Sequence, residues 1–107
     1  MKIFFDHCVD KRLKRLLTEH IVTTAHQMGW AAKKNGELLN LVEGEGFEVF
    51  FTVDQNIKHQ QNLAAHALRF IVLVGGDNRY ETLAPLITNV KEMLMTIAPG
   101  EIVEISQ

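Results

Sequence analysis

Three carboxylates stand where an apolar run or a loop gives way to something else: Asp6, Glu37 and Asp54. Asp6 follows Lys2-Ile3-Phe4-Phe5 directly. Asp54 follows Phe47-Glu48-Val49-Phe50-Phe51 by way of Thr52 and Val53. Glu37 comes after Asn35-Gly36 at the head of a segment with Leu38, Leu39, Leu41 and Val42 at helical spacing. Acids gathered at one point repel unless a cation neutralises them, and hard oxygen donors on a rigid scaffold suit Mg²⁺ or Mn²⁺. An ion held this way can activate water and stabilise a leaving oxygen, which is the chemistry of phosphodiester cleavage. A plainer reading stands beside it. An Asp after a strand also serves as a helix cap or turn residue.

Further polar residues are weighed in the same way. Lys11, Arg12, Lys14 and Arg15 could hold RNA phosphates beside the acids, or form one solvated helix face. Asp77 could bring another negative charge. Trp30 sits alone in a loop, where such a residue more often anchors the loop than stacks on a base. His7 adjoins Asp6. His59 and His66 are too far apart for the i, i+4 pair of a zinc helix, and Cys8 has no second cysteine near it. Cys8 therefore reads as a small packing residue.

The elements that must position these residues are read from periodicity. Strands are expected at 2–5, 21–25, 47–51, 70–74 and 102–105, each rich in β-branched or aromatic residues. Helices are expected over about 9–19, from a cap at Asn35 or Gly36 to Gly44, and over 57–68. A fourth is expected along the seam Leu83, Ile87, Val90, Leu94 and Ile97, with Pro85 in its first turns and Pro99-Gly100 ending it. The βαβαβαβαβ order implies an α/β fold, a three-layer α/β/α sandwich on a mainly parallel five-stranded sheet. Both Asp residues then fall beyond the carboxyl ends of strands, where open α/β sheets bind ligands.

At 107 residues, residues 1–107 are expected to form a single domain. A net charge of −2 gives no global attraction to nucleic acid, so any contact with it must be local. The single cysteine suits a reducing compartment, and no stretch reads as a signal peptide or reaches the roughly 18 apolar residues of a membrane span. The expected location is the cytoplasm.

Taken in order, Ile3-Phe4-Phe5-Asp6, Asn35-Gly36-Glu37-Leu38-Leu39 and Phe51-Thr52-Val53-Asp54-Gln55-Asn56 resemble the acidic motifs of PIN-like domains. The likeness is to the short VapC-like ribonuclease-toxin group, and the Gly29-Trp30 loop, Leu83-Ala84-Pro85-Leu86 and Pro99-Gly100 extend it along most of the chain. The resemblance implies a Mg²⁺- or Mn²⁺-dependent endoribonuclease with Asp6, Glu37 and Asp54 as its catalytic, metal-holding acids. Asn56 is implied as a further ligand, and Thr52 as the hydroxyl residue that precedes the third acid. RNA is the implied substrate, with a small antitoxin protein and a homodimer as partners. The family pattern usually has an acid where this chain has Asn56. That departure supports a second reading, a weakened PIN-like domain that binds RNA or protein without cutting.

A phosphoreceiver module, which also has an Asp beyond its third strand, fits less well. It expects an acidic pair after the first strand, a hydroxyl residue after the fourth and a Lys after the fifth. Here His7 follows Asp6, Gly75-Gly76 follows the fourth strand, and the chain ends in Ser106-Gln107.

Overall fold

The structure, a computed structural model, describes residues 1–59 and 63–107. Five strands, β1 (Lys2–Phe5), β2 (Ile21–Thr24), β3 (Val49–Thr52), β4 (Arg69–Val74) and β5 (Ile102–Ser106), form one sheet in the order β2-β1-β3-β4-β5. Every neighbouring pair is parallel. The sheet is thus wholly rather than mainly parallel. The unbroken apolar character of β3 and β4 follows from this, because a parallel sheet is covered on both faces.

Alternate side chains feed two separate cores. Ile3, Phe5, Val49, Phe51, Ile71 and Leu73 point to one face and meet Leu13, Leu17, Leu83 and Val90. Phe4, Phe50, Phe70 and Val72 point to the other and meet Leu38, Leu39, Val42 and Ile57. Phe4 pairs with Phe50 and Phe5 with Phe51 in register, so their rings stack across β1 and β3 at 5.6 and 4.7 Å between centroids. Each fully buried ring contributes roughly 1.5–3 kcal/mol through the area it removes from water. This rigid β1–β3 pair carries the site.

The helices are α1 (Ala25–Met28), α2 (Asn35–Gly44), α3 (Tyr80–Leu83) and α4 (Ile87–Leu94), joined by 3₁₀ turns at Lys11–Leu16, Gln55–His59, Leu63–Ala65 and Ala84–Leu86. Several differ from expectation. The helix expected over 9–19 is the short 3₁₀ turn, capped by Asp10, whose carboxylate accepts from the Arg12 N–H. Its four cations lie at three- and four-residue spacings, and like charges so placed work against a longer α-helix. The expected helix 57–68 lies partly outside the described residues, and on either side of them the chain forms 3₁₀ turns. The seam Leu83, Ile87, Val90, Leu94 and Ile97 is buried throughout. Pro85 breaks its helix, however, because it lacks an N–H and its ring clashes with the preceding turn.

Asn35 and Gly36 do not cap α2. Lys34 holds the cap position without a side-chain bond, and Asn35 is already helical. The loop before α2 hides α1, which is closed by a capping box between Thr24 and Gln27 and ended by Gly29 at φ 74°. Trp30 packs on Phe4 at 5.9 Å, as an anchor should. Among the described residues, no helix is long and apolar enough to cross a membrane.

The strand order fixes where a site belongs. The chain steps from β1 outward to β2, then crosses back to β3 on the other side of β1. The winding therefore reverses between β1 and β3, and in open α/β sheets the crevice beyond the carboxyl ends at that reversal is where ligands bind. Asp6 and Asp54 leave those two strands.

Candidate functional site

Asp6 is held by an extension of the β1–β3 ladder. Its N–H donates to the Phe51 carbonyl at 3.0 Å, one residue beyond the end of β1. The last residue of β3, Thr52, is fully buried and turns its hydroxyl toward β1. Thr52 Oγ1 donates to Asp6 Oδ2 at 2.8 Å and accepts the Asp54 N–H at 3.0 Å. One hydroxyl thus ties the first acid to the backbone of the third. A hydrogen bond to a carboxylate is charge-assisted and stronger than a neutral one.

The other Asp6 partners come from the next two residues. His7 N–H donates to Oδ1 at 2.9 Å, His7 Nδ1 lies 3.2 Å from the same oxygen, and Cys8 Sγ donates to Oδ2 at 3.6 Å. With only 4% of its surface exposed, Asp6 is a buried acid whose charge is satisfied by these neighbours and Thr52. A carboxylate has about four lone-pair positions, and the His7 N–H, the Cys8 thiol and the Thr52 hydroxyl take three of them.

Asp54 is the accessible partner. Its Oδ1 accepts the Asn56 N–H at 2.9 Å and its carbonyl accepts the Ile57 N–H at 3.2 Å, so it opens the 3₁₀ turn Gln55–His59. The plainer reading of an Asp after a strand, as a turn residue, therefore holds here as well. Among the described residues, nothing bonds its second oxygen. Asp54 and Asn56 line an open cavity of about 370 Å³ together with His7, Cys8, Gln55 and Asn78. Asp6 lies behind its wall.

Cys8 is more than packing, since it both bonds Asp6 and lines the cavity. Burial pushes its thiol up; the Thr52 hydroxyl opposes this, and the Asp6 charge adds to it. A protonated thiol is a poor nucleophile. Iodoacetamide at neutral pH is therefore expected to alkylate Cys8 several-fold more slowly than an unperturbed thiol, and Asp6→Asn should recover part of the rate. Equal rates in native and variant protein, followed by mass spectrometry, would contradict the bond to Asp6.

The remaining expected site residues are placed elsewhere. Glu37 falls in the first turn of α2 as expected, but its side chain is 59% exposed and pairs with Lys33 at 3.1 Å. It does not line the Asp54 cavity. Asp77 is held near pKa 2 by the Thr82 hydroxyl, then by the N–H and guanidinium of Arg79, with which it makes an ion pair at 3.2 Å. Its charge is spent on the turn before α3, and its neighbour Asn78 reaches the cavity instead. Lys11, Arg12, Lys14 and Arg15 line a separate groove. Cys8, Val53, Gln55 and Asn78 are the lining residues not singled out as site residues from the sequence; Val53 and Gln55 lie inside the third acidic motif and Cys8 is two residues from Asp6, which is the signal that could have found them.

Among the described residues, no three His, Cys, Asp or Glu side chains are grouped to hold a metal ion. The donor set still suits one hard cation. Mg²⁺ is usually bound through one or two carboxylates and keeps waters and phosphate oxygens as its other ligands. Asp54 and Asn56 are the oxygen-bearing acid and amide that line the cavity, whereas Asp6 is buried and does not reach it. Without Glu37 the donor set does not suit two ions. Compared with known protein families, curated proteins and solved structures, the chain shows no significant match.

Proposed function

We propose that the chain is a PIN-like domain, a three-layer α/β/α sandwich, acting as a metal-dependent endoribonuclease with one Mg²⁺ or Mn²⁺ at the β1–β3 crevice. The observation that carries this is the Thr52 hydroxyl, which joins the Asp6 carboxylate to the Asp54 backbone at the reversal of the sheet. Asp54 and Asn56 would hold the ion from the wall, and Asp6 would supply the buried charge behind it. When bound, the ion supplies Lewis-acid stabilisation of phosphate charge and lowers the pKa of a water. His7 and Gln55 line the space a phosphodiester would enter. A toxin role, with a small antitoxin partner and a homodimer, belongs to the same proposal.

Two observations favour the second reading, a domain that binds without cutting: Asn56 stands where an acid is usual, and Glu37 is paired outward with Lys33. The sheet order is also that of phosphoreceiver modules. The residues after β1, β4 and β5 still argue against that function.

Thermal melting with Mn²⁺ tests the proposal. An ion that binds only the folded chain at 100 times its Kd adds about 2.7 kcal/mol, which for a domain of this size raises Tm by about 10 °C. Asp54→Asn should remove the rise, and titration should give one ion per chain. An unchanged melting curve in millimolar Mn²⁺ would count against the metal site.

A further inference from the structure

The four cations of the first 3₁₀ turn do not simply face solvent. Lys11, Arg12, Lys14 and Arg15 form one wall of a groove of about 340 Å³, and His26 with Thr24 and Gln27 forms the other. Among the described residues, no carboxylate lines it. Asp10 lies alongside and pairs with Arg12 at 2.6 Å, and the Arg12 guanidinium also rests 4.8 Å from the Tyr80 ring centre. Among the described residues, Lys11, Lys14 and Arg15 have no acidic partner within ion-pair distance. Thr24 and Gln27 bond each other through the capping box, which uses the Gln27 amide oxygen and leaves its NH₂ as a donor. Cations concentrated in a concavity, with donors beside them, create a local positive field that attracts a polyanion even on a chain of net charge −2.

The position of the groove matters as much as its charge. Thr24 ends β2 and pairs in register with Phe5, the residue before Asp6. Neighbouring strands lie about 4.8 Å apart, so the groove opens at the same sheet edge as the Asp6–Asp54 crevice and one strand away. By contrast, the groove between α4 and β5 is lined by Glu92 and Glu104 and would repel the same ligand.

We infer that the groove between Lys11–Leu16 and the β2–α1 junction docks the sugar–phosphate backbone of single-stranded RNA and leads the strand to the Asp6–Asp54 crevice. The choice of RNA over another polyanion rests on the proposed ribonuclease function, whereas the preference for anions rests on the groove itself. Repeated phosphates satisfy several cations at once, and such pairing carries no sequence preference.

The test is fluorescence anisotropy of a short labelled oligouridylate over a series of salt concentrations, in EDTA so that no cleavage intervenes. Lys11→Gln with Lys14→Gln is expected to weaken binding about tenfold and to reduce the slope of log K against log salt by about 0.7 for each phosphate that is no longer neutralised. Lys2→Gln with Arg69→Gln removes the same charge at the amino ends of β1 and β4, the opposite edge of the sheet, and should change affinity by less than about twofold, the margin a distant surface charge leaves under screening. If the first pair melts early, Lys14→Gln alone is measured in its place. Equal weakening by both pairs, or no change with the first, would overturn the inference. So would a glutamate-rich peptide that occupies the groove and that oligouridylate fails to displace. Groove-dependent binding in EDTA without cleavage in Mn²⁺ would uphold the docking site and refute the nuclease function.

Discussion

Thr52→Val is expected to destabilise the fold by about 2–4 kcal/mol, because one near-isosteric change removes two hydrogen bonds at the centre of the site. The hydroxyl donates to a carboxylate that is 4% exposed, and such bonds contribute about 1.5–3 kcal/mol. It also accepts the Asp54 N–H, which Val leaves without its partner. Thr52→Ser keeps both bonds and removes one methyl, a cost of about 0.8 kcal/mol. Urea denaturation should therefore separate Val from Ser by more than about 1 kcal/mol with an unchanged m-value. The Cys8 thiol gives an independent readout. Thr52 lowers its pKa, so Val should slow alkylation further. Equal stabilities for Val and Ser would show that the hydroxyl does not join the two acids.

The parts of the fold that can be read in the sequence are those set by burial. The β1, β3 and β4 stretches are largely apolar because both faces of the sheet are covered. Asp6 and Asp54 follow the apolar runs of β1 and β3, so the carboxyl ends of these strands can be placed from the sequence, but that the two strands are neighbours at the reversal of the sheet emerges only from the strand order. Thr52 stands out only through the family resemblance, since a buried hydroxyl in a strand has no periodicity of its own.

Glu37 is harder to place. Its position depends on the chain between β2 and α2, and that chain contains α1, a single turn signalled only by Thr24 and Gln27 at capping-box spacing. A four-residue helix buries too little to leave a periodic pattern. The basic turn misleads in another way. Leu13 and Leu17 have helical spacing and are both buried, yet the turn is 3₁₀ and its cations line a groove. Pro85 is tolerable in the first turns of a helix, whereas the structure divides the seam around it.

Asn56 is the residue that tests the proposed cation at Asp54 and its proposed part in RNA cleavage. The Asn56 N–H bonds Asp54 Oδ1 and both residues line the cavity, so a carboxylate at position 56 would stand beside the existing one. Without a cation the new charge adds only repulsion and should lower stability. With a cation it adds a ligand. The decisive measurement is the rate of oligoribonucleotide cleavage in Mn²⁺, with RNA in excess, for the native chain, Asn56→Asp and Asp54→Asn. Cleavage by the native chain, about tenfold faster with Asn56→Asp and slower by on the order of 10²–10³ with Asp54→Asn, is the predicted result. No cleavage by either the native chain or Asn56→Asp, with metal bound, would contradict the nuclease reading and leave a binding domain.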